Sequence, residues 1–157
     1  MRTMRRFSTI FLLGLWLGGF SACSSVLMNT PVSKSAEGWG VTLSQAKEGP
    51  DEYVGEGGVL VTSEAGERLI WTLVTVKNES AQEETFSYDT CVLEGKGEAR
   101  QPLVVDRHAE VNAASDRSEA IAPGQERTRK LIYSYRKDKP PTRMRCGKIT
   151  LPIPGPR

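Results

Sequence analysis

The sequence predicts an all-β domain, an antiparallel sandwich of about seven to nine short strands. Apolar and polar residues alternate with a period of two through most of the chain, as they do in half-buried strands. Glycine, proline and small polar residues interrupt these runs at regular intervals, which is typical of the turns of a sandwich. No stretch within residues 38–157 has a helical period of useful length.

The predicted strands follow one another along residues 38–157, which we interpret as one domain. They cover residues 39–44, 59–61, 68–78, 85–88, 91–93, 102–105, 128–135, 144–146 and 149–153. Turn residues separate them. In residues 122–125, for example, Pro and Gly occupy the positions that a type II turn favours. Residues 106–119 lack a clear period and are predicted to form a long loop.

Residues 68–78 form the strongest predicted strand. Leu69, Trp71 and Leu73 would point to one side, and Ile70, Val74 and Val76 would point to the other. Aromatic and β-branched residues dominate, as they do in strands. Apolar residues on both faces indicate a central strand of the sheet.

The chain begins with a pattern typical of an export signal. Three arginines lie within the first six residues, and an apolar run over residues 7–20 follows them. This run is shorter than the about 20 apolar residues that a membrane span needs, and it has the flanks of a removable signal peptide. The run ends at Ser21, Ala22 and Cys23, where two small residues precede a thiol nucleophile.

This leader resembles the lipobox of bacterial lipoproteins. The resemblance implies that residues 1–22 are removed and that Cys23 carries the lipid that binds the protein to a membrane of the cell envelope. Ser24 stands where many Gram-negative lipoproteins carry an inner-membrane retention Asp, so the resemblance favours the outer membrane, facing the periplasm or the exterior. The alternative is an ordinary secretory signal in which Cys23 is incidental.

Residues 23–37 are small and polar, and they predict a flexible tether spanning about 20 Å.

The charge distribution is uneven. Without the three leader arginines the chain has 18 basic and 19 acidic residues, a net charge of −1 that predicts no nucleic-acid partner. Residues 37–98 contain 13 acidic and 4 basic residues. What we call the basic segment, residues 127–148, contains nine basic residues: Arg127, Arg129, Lys130, Arg136, Lys137, Lys139, Arg143, Arg145 and Lys148.

The basic segment allows two interpretations. It is a candidate surface for an anionic partner, either an envelope protein or an anionic polymer. Alternatively, the basic and acidic halves pair across neighbouring strands. The second interpretation is the simpler one, because runs of charge are usually solvated faces.

Cys91 and Cys146 are the two cysteines outside the leader. In an oxidising envelope such a pair predicts a disulfide. The alternative is a metal or redox pair. The sequence has no C-x-x-C motif and only one histidine, so it does not support that alternative. It predicts neither a metal site nor a cofactor.

Three motifs resemble a set of small immunoglobulin-like domains of unknown function that occur in bacterial lipoproteins. These domains are similar in fold to a mycobacterial secreted immunoprotective antigen. The motifs are the V-x-N ending at Asn78, an L-x-x-x-G from Leu93 to Gly97, and a P-G-Q turn at residues 123–125. The resemblance implies an immunoglobulin-like sandwich and supplies no catalytic residues.

The sequence favours a non-enzymatic binding or scaffolding role. One alternative is an envelope hydrolase that uses His108, the only histidine, with Asp106 and a nearby serine, but a nucleophile elbow and an oxyanion element are missing. Another is a small-ligand carrier. Trp39, Trp71, Tyr133 and Tyr135 could line its groove, although core packing is their more usual role.

Overall fold

The computed structural model describes residues 25–55, 60–107 and 116–155. Most of these residues lie in antiparallel strands, and the only helical element among them is a 3₁₀ turn at Tyr88–Thr90. The strands are β1 Val26–Met28, β2 Val32–Ala36, β3 Trp39–Glu48, β4 Glu52–Val54, β5 Leu60–Thr62, β6 Glu67–Asn78, β7 Glu84–Ser87, β8 Cys91–Gly95, β9 Glu98–Arg100, β10 Val104–Arg107, β11 Ser118–Ile121, β12 Glu126–Arg136, β13 Arg143–Cys146 and β14 Ile149–Pro152.

The first layer is a six-stranded sheet in the order β1-β3-β6-β12-β10, with β2 also paired to β3. Strand β6 lies at its centre and pairs along almost its whole length with β3 and β12. The apolar residues on both faces of residues 68–78 predict a central strand at this position, and the structure confirms it. Val74 and Val76 are fully buried on one face of β6, and Leu69 is fully buried on the other.

The second layer is a four-stranded sheet in the order β14-β13-β8-β9. The 3₁₀ turn at Tyr88–Thr90 connects β8 to β7, which pairs with β11. One apolar core fills the space between the layers, and it includes Val74, Tyr133 and Leu151. The predicted all-β antiparallel sandwich is therefore confirmed, although the described residues contain more strands than predicted.

The outer face of the first sheet has a small core of its own. The β4–β5 hairpin lies over it, and Tyr53 packs with Leu69 and Ile132. The Tyr53 ring meets Trp71 edge-on, with the ring centroids 5.9 Å apart. This cover explains why both faces of β6 are apolar.

Two tyrosines of β12 point into the main core, as the alternation of residues 128–135 predicts. Tyr133 and Tyr135 are fully buried. The Tyr133 hydroxyl donates a hydrogen bond of 2.8 Å to the Cys91 carbonyl oxygen in the opposite sheet. Burial raises the pKa of Tyr133, so its hydroxyl stays protonated as a donor.

The predicted turn at residues 122–125 is present. The Gln125 N–H donates to the Ala122 carbonyl oxygen over 3.0 Å, and Gly124 has a φ of 73°. A positive φ at the third residue is what a type II turn requires, and glycine adopts it without a steric cost.

The predicted flexible tether over residues 23–37 is wrong for most of its length. Val26–Met28 and Val32–Ala36 are strands that pair with β3. Leu27 and Met28 are buried in the main core. Strand β2 lies at the sheet edge with its middle residues exposed, so its polar composition suits an edge strand as well as a tether.

Cys91 and Cys146 form a disulfide, as predicted. They are register partners on β8 and β13, so the bond joins neighbouring strands of one sheet. In antibody domains, by contrast, the disulfide connects the two sheets. Here the contact between the sheets at this point is the hydrogen bond from Tyr133.

Loss of the disulfide is expected to destabilise the protein. Its cysteines are 55 residues apart in sequence, and closing a loop of that size contributes about 4 kcal/mol in the chain-entropy model. We expect the Cys91→Ala/Cys146→Ala variant to lose up to that amount in free energy of unfolding, measured by urea denaturation. Wild-type protein in reductant is the control and should resemble the variant. Equal midpoints for the variant and the oxidised wild type would contradict the bridge.

Candidate functional site

The sandwich has two distinguishable ends. At the proximal end, the Ser25 carbonyl accepts from the Glu48 N–H over 2.9 Å, and the Lys137 N–H donates to the Gly66 carbonyl over 3.1 Å. At the distal end, the Glu79 N–H donates to the Gly38 carbonyl over 2.7 Å. The long strands β3, β6 and β12 run between these ends.

A groove of about 260 Å³ opens at the distal end. Three segments that are far apart in sequence form it: the β2–β3 turn, strand β7 with Thr90, and the β13–β14 turn. Its lining residues are Ala36, Glu37, Trp39, Thr85, Phe86, Ser87, Thr90, Cys146, Gly147, Lys148 and Ile149. We call it the distal groove, and it is the candidate functional site.

Aromatic rings form the floor of the distal groove. Trp39 and Phe86 meet edge-on with their centroids 5.1 Å apart, and Phe86 meets Tyr88 in the same way at 5.3 Å. Trp39 is half-buried, so part of its ring faces the groove. Of the four aromatic residues considered as groove candidates, Trp39 is the one that lines this groove.

Charged residues stand at the mouth of the groove. Lys148 forms an ion pair with Glu37, which connects the β13–β14 turn to the β2–β3 turn. Both side chains are exposed, so solvent screens the pair and it contributes little to stability. An ion pair this weak costs little to open, and it leaves the groove accessible.

Asn78 fixes the position of the strands around the groove. Its side-chain N–H groups donate to the carbonyls of Gln82 and Ile121, each over 2.7 Å, and its side-chain oxygen accepts from the Ser80 N–H over 2.8 Å. Asn78 is fully buried. It therefore connects the end of β6 to the loop that leads into β7 and to the end of β11, and this gives the V-x-N motif a structural purpose.

The basic segment is mostly neutralised by ion pairs. Seven of its nine basic residues have a carboxylate partner: Arg129 with Glu119, Lys130 with Asp106, Arg136 with Asp138, Lys137 with Asp51, Arg143 and Arg145 with Glu94, and Lys148 with Glu37. Arg127 and Lys139 have no ion pair within the described part of the chain. The expected pairing between the basic and acidic halves is present at Asp51, Glu94 and Glu37.

The ion pairs of Glu94 show the effect on charge. Arg145 and Arg143 donate to its two carboxylate oxygens over 2.7 and 2.8 Å. The hydrogen bond from Arg145 is the main reason that the pKa of Glu94 lies below its ordinary value. Glu94 thus stays ionised and compensates part of the positive charge of β13.

Asp106, the proposed partner of His108, is engaged elsewhere. It is buried, and it accepts a hydrogen bond from the Tyr53 hydroxyl and lies 3.2 Å from the Lys130 ammonium group. The Lys130 ammonium group also lies over the ring of Trp71, 5.2 Å from its centroid. This arrangement holds the β4–β5 hairpin on the first sheet. His108 lies outside the described residues.

Cys23 also lies outside the described residues, so the lipidation prediction stays a prediction. Within residues 25–55, 60–107 and 116–155, no helix has the length and apolar character to cross a membrane. The same residues contain no group of three or more His, Cys, Asp or Glu side chains placed to hold a metal ion.

Replacing Asn78 is expected to destabilise the protein strongly. The Asn78→Ala variant leaves the Ile121 carbonyl and the half-buried Ser80 N–H without their amide partner, at a cost of about 3 kcal/mol in free energy of unfolding. The Gln82 carbonyl loses one of its two donors and keeps the Ser80 hydroxyl. Asn78→Asp should cost more, because it directs a carboxylate at the Gln82 and Ile121 carbonyls. Lys77→Ala, at the exposed neighbouring position, is the matched control and should change stability by less than about 0.5 kcal/mol. Thermal or urea unfolding measures all three, and an Asp variant as stable as the wild type would contradict this role.

Comparison with known proteins bears on the fold alone. No protein-family model matches the sequence, and no curated protein matches it significantly. A solved structure that resembles the protein is a functionally unknown protein from Listeria monocytogenes EGD-e, with a TM-score of 0.53 and 10% sequence identity. The likeness covers 85% of this chain and 88% of that chain. At such low identity it shows the fold alone, which is the all-β sandwich described above.

Proposed function

We propose that the protein is a lipid-anchored component of the bacterial cell envelope whose sandwich acts as a non-enzymatic binding or scaffolding domain. The lipobox-like leader ending at Cys23 supports the anchor. The distal groove, with its aromatic floor and charged mouth, supports the binding role. The resemblance of the leader to lipoproteins, with Ser24 after the cysteine, favours the outer membrane.

The observation that carries this proposal is the position of the first strand. Ser25 already bonds to Glu48, and Val26 is the register partner of Lys47. Cys23 precedes Val26 by three residues, and three residues reach at most about 11 Å. A lipid on Cys23 would therefore hold the proximal end of the sandwich against the head groups.

This geometry would point the binding site away from the membrane. Strand β6 has 12 residues, and at about 3.3 Å per residue it is about 40 Å long. The distal groove lies at the far end of that strand. A partner in the surrounding compartment would reach it without competing with the bilayer.

The basic segment supports a binding role less strongly. Most of its side chains already have carboxylate partners, so an anionic polymer would have to compete with these ion pairs. Exposed pairs are weak, and such competition remains feasible at low ionic strength. We therefore place the principal binding site at the distal groove.

Lipid on Cys23 is testable by mass spectrometry. Protein purified from the membrane fraction should give an N-terminal peptide that starts at Cys23 and carries the mass of a diacylglycerol group. The Cys23→Ser variant should lack this mass and should not yield the mature form. Ser25→Ala is the matched control, because it keeps the cysteine and should be processed normally. A wild-type peptide that starts elsewhere or carries no lipid would contradict the proposal.

A further inference from the structure

Within the described ranges, strand β7 is paired along one edge and unpaired along the other, which we call its open edge. Its paired edge faces β11, where Phe86 is the register partner of Glu119 and Thr85 is that of Ala120. The Tyr88 N–H donates to the Arg117 carbonyl over 2.8 Å. This bond shows which residues of β7 direct their backbone groups at β11. In an antiparallel pair, the backbone N–H and C=O groups of successive residues point alternately toward the partner strand and away from it.

Because of this alternation, two residues of β7 point their backbone groups toward the distal groove. Phe86 directs its backbone groups at β11, as the Tyr88 N–H does, so Thr85 and Ser87 direct theirs to the opposite side. The Ser87 carbonyl accepts from the Thr90 hydroxyl over 2.7 Å, which leaves the N–H groups of Thr85 and Ser87 and the Thr85 carbonyl for pairing. Both residues line the groove. No backbone hydrogen bond to the N–H of Thr85 or Ser87 is present among the described residues.

Strand β13 ends too early to cover this edge. It pairs with β8 as far as Cys91 and Cys146, and the chain then turns at Gly147, where φ is 59°. The Gly147 N–H donates to the Thr90 carbonyl over 3.3 Å, which is the last bond before the turn. Beyond this point no strand of the described residues pairs with β7 on the β13 side.

We propose that this open edge of β7 binds an extended peptide segment of a partner protein, which adds to the sheet as a strand in line with β13. Exposed strand edges are templates for pairing, and strand addition is an established mode of peptide recognition. The inference specifies the partner of the binding role proposed above, and it does not depend on the lipid anchor.

The groove also indicates which peptide fits. The half-buried Trp39 and the buried Phe86 provide an apolar floor for one side chain that points inward. Glu83 and Glu84 lie at the start of β7, both exposed and without an ion pair in the described structure. A peptide with an apolar residue flanked by lysine or arginine would complement this surface in shape and charge.

The test is selection from a phage-displayed library of random heptapeptides against the purified full-length mature protein in detergent. We expect enriched clones to share an apolar residue next to Lys or Arg. Synthetic peptides from these clones are then measured by fluorescence anisotropy against variants. Thr85→Pro removes the N–H that faces the groove and should weaken binding about tenfold, as expected for loss of one backbone hydrogen bond and its geometry.

The matched control is Ala120→Pro. Ala120 is the register partner of Thr85, but its N–H points away from β7, at the outer edge of β11. This variant should bind as the wild type does. Should either proline variant fail to fold, Glu84→Lys tests the charge contact, with Glu64→Lys at the proximal end as its control. Only the first of these two should weaken binding.

The outcomes separate this inference from the proposed function. Enriched peptides that bind Thr85→Pro and Glu84→Lys as tightly as the wild type would overturn the β7 site while leaving a binding role intact. Failure to enrich any clone would overturn strand addition as well. Neither result bears on lipid attachment, which the N-terminal peptide mass tests separately.

Discussion

The structure depends on the burial of both faces of β6. One face packs into the main core with Val74 and Val76, and the other packs under the β4–β5 hairpin with Leu69. A strand in this position must pair on both sides, because any unpaired backbone group would be buried without a partner. Pairing with β3 and β12 follows from this constraint, and so does the direction of the long axis of the sandwich. The two ends of the molecule are the two ends of β6.

Each end has a different chemical character because different segments meet there. At the proximal end the chain enters the sheet at Ser25, close to the predicted lipid site. At the distal end, Asn78 satisfies three backbone groups at once and so positions the approach to β7 and the end of β11. The early turn at Gly147 then leaves the edge of β7 open. A single buried amide and a short strand together produce the groove that we propose as the binding site.

Much of the fold could be predicted from the sequence, because alternation and turn chemistry are local signals. The central strand, the inward tyrosines and the turn at residues 122–125 were all predicted correctly. The tether was not, because an edge strand such as Val32–Ala36 exposes most of its side chains and carries no alternation. The groove could not be predicted either. Its residues come from three distant segments, and the open edge exists only because β13 stops at Cys146.

We propose that the sandwich rests directly on the membrane with its groove pointing outward. Neutron reflectometry of the lipidated protein on a supported bilayer measures this orientation. If the sandwich rests on the head groups, the protein layer should be about 40 Å thick, the length of β6, and should be in contact with them. A solvent layer of about 20 Å between bilayer and protein, as a flexible tether would give, would contradict it, and so would a thin layer of protein lying on its side.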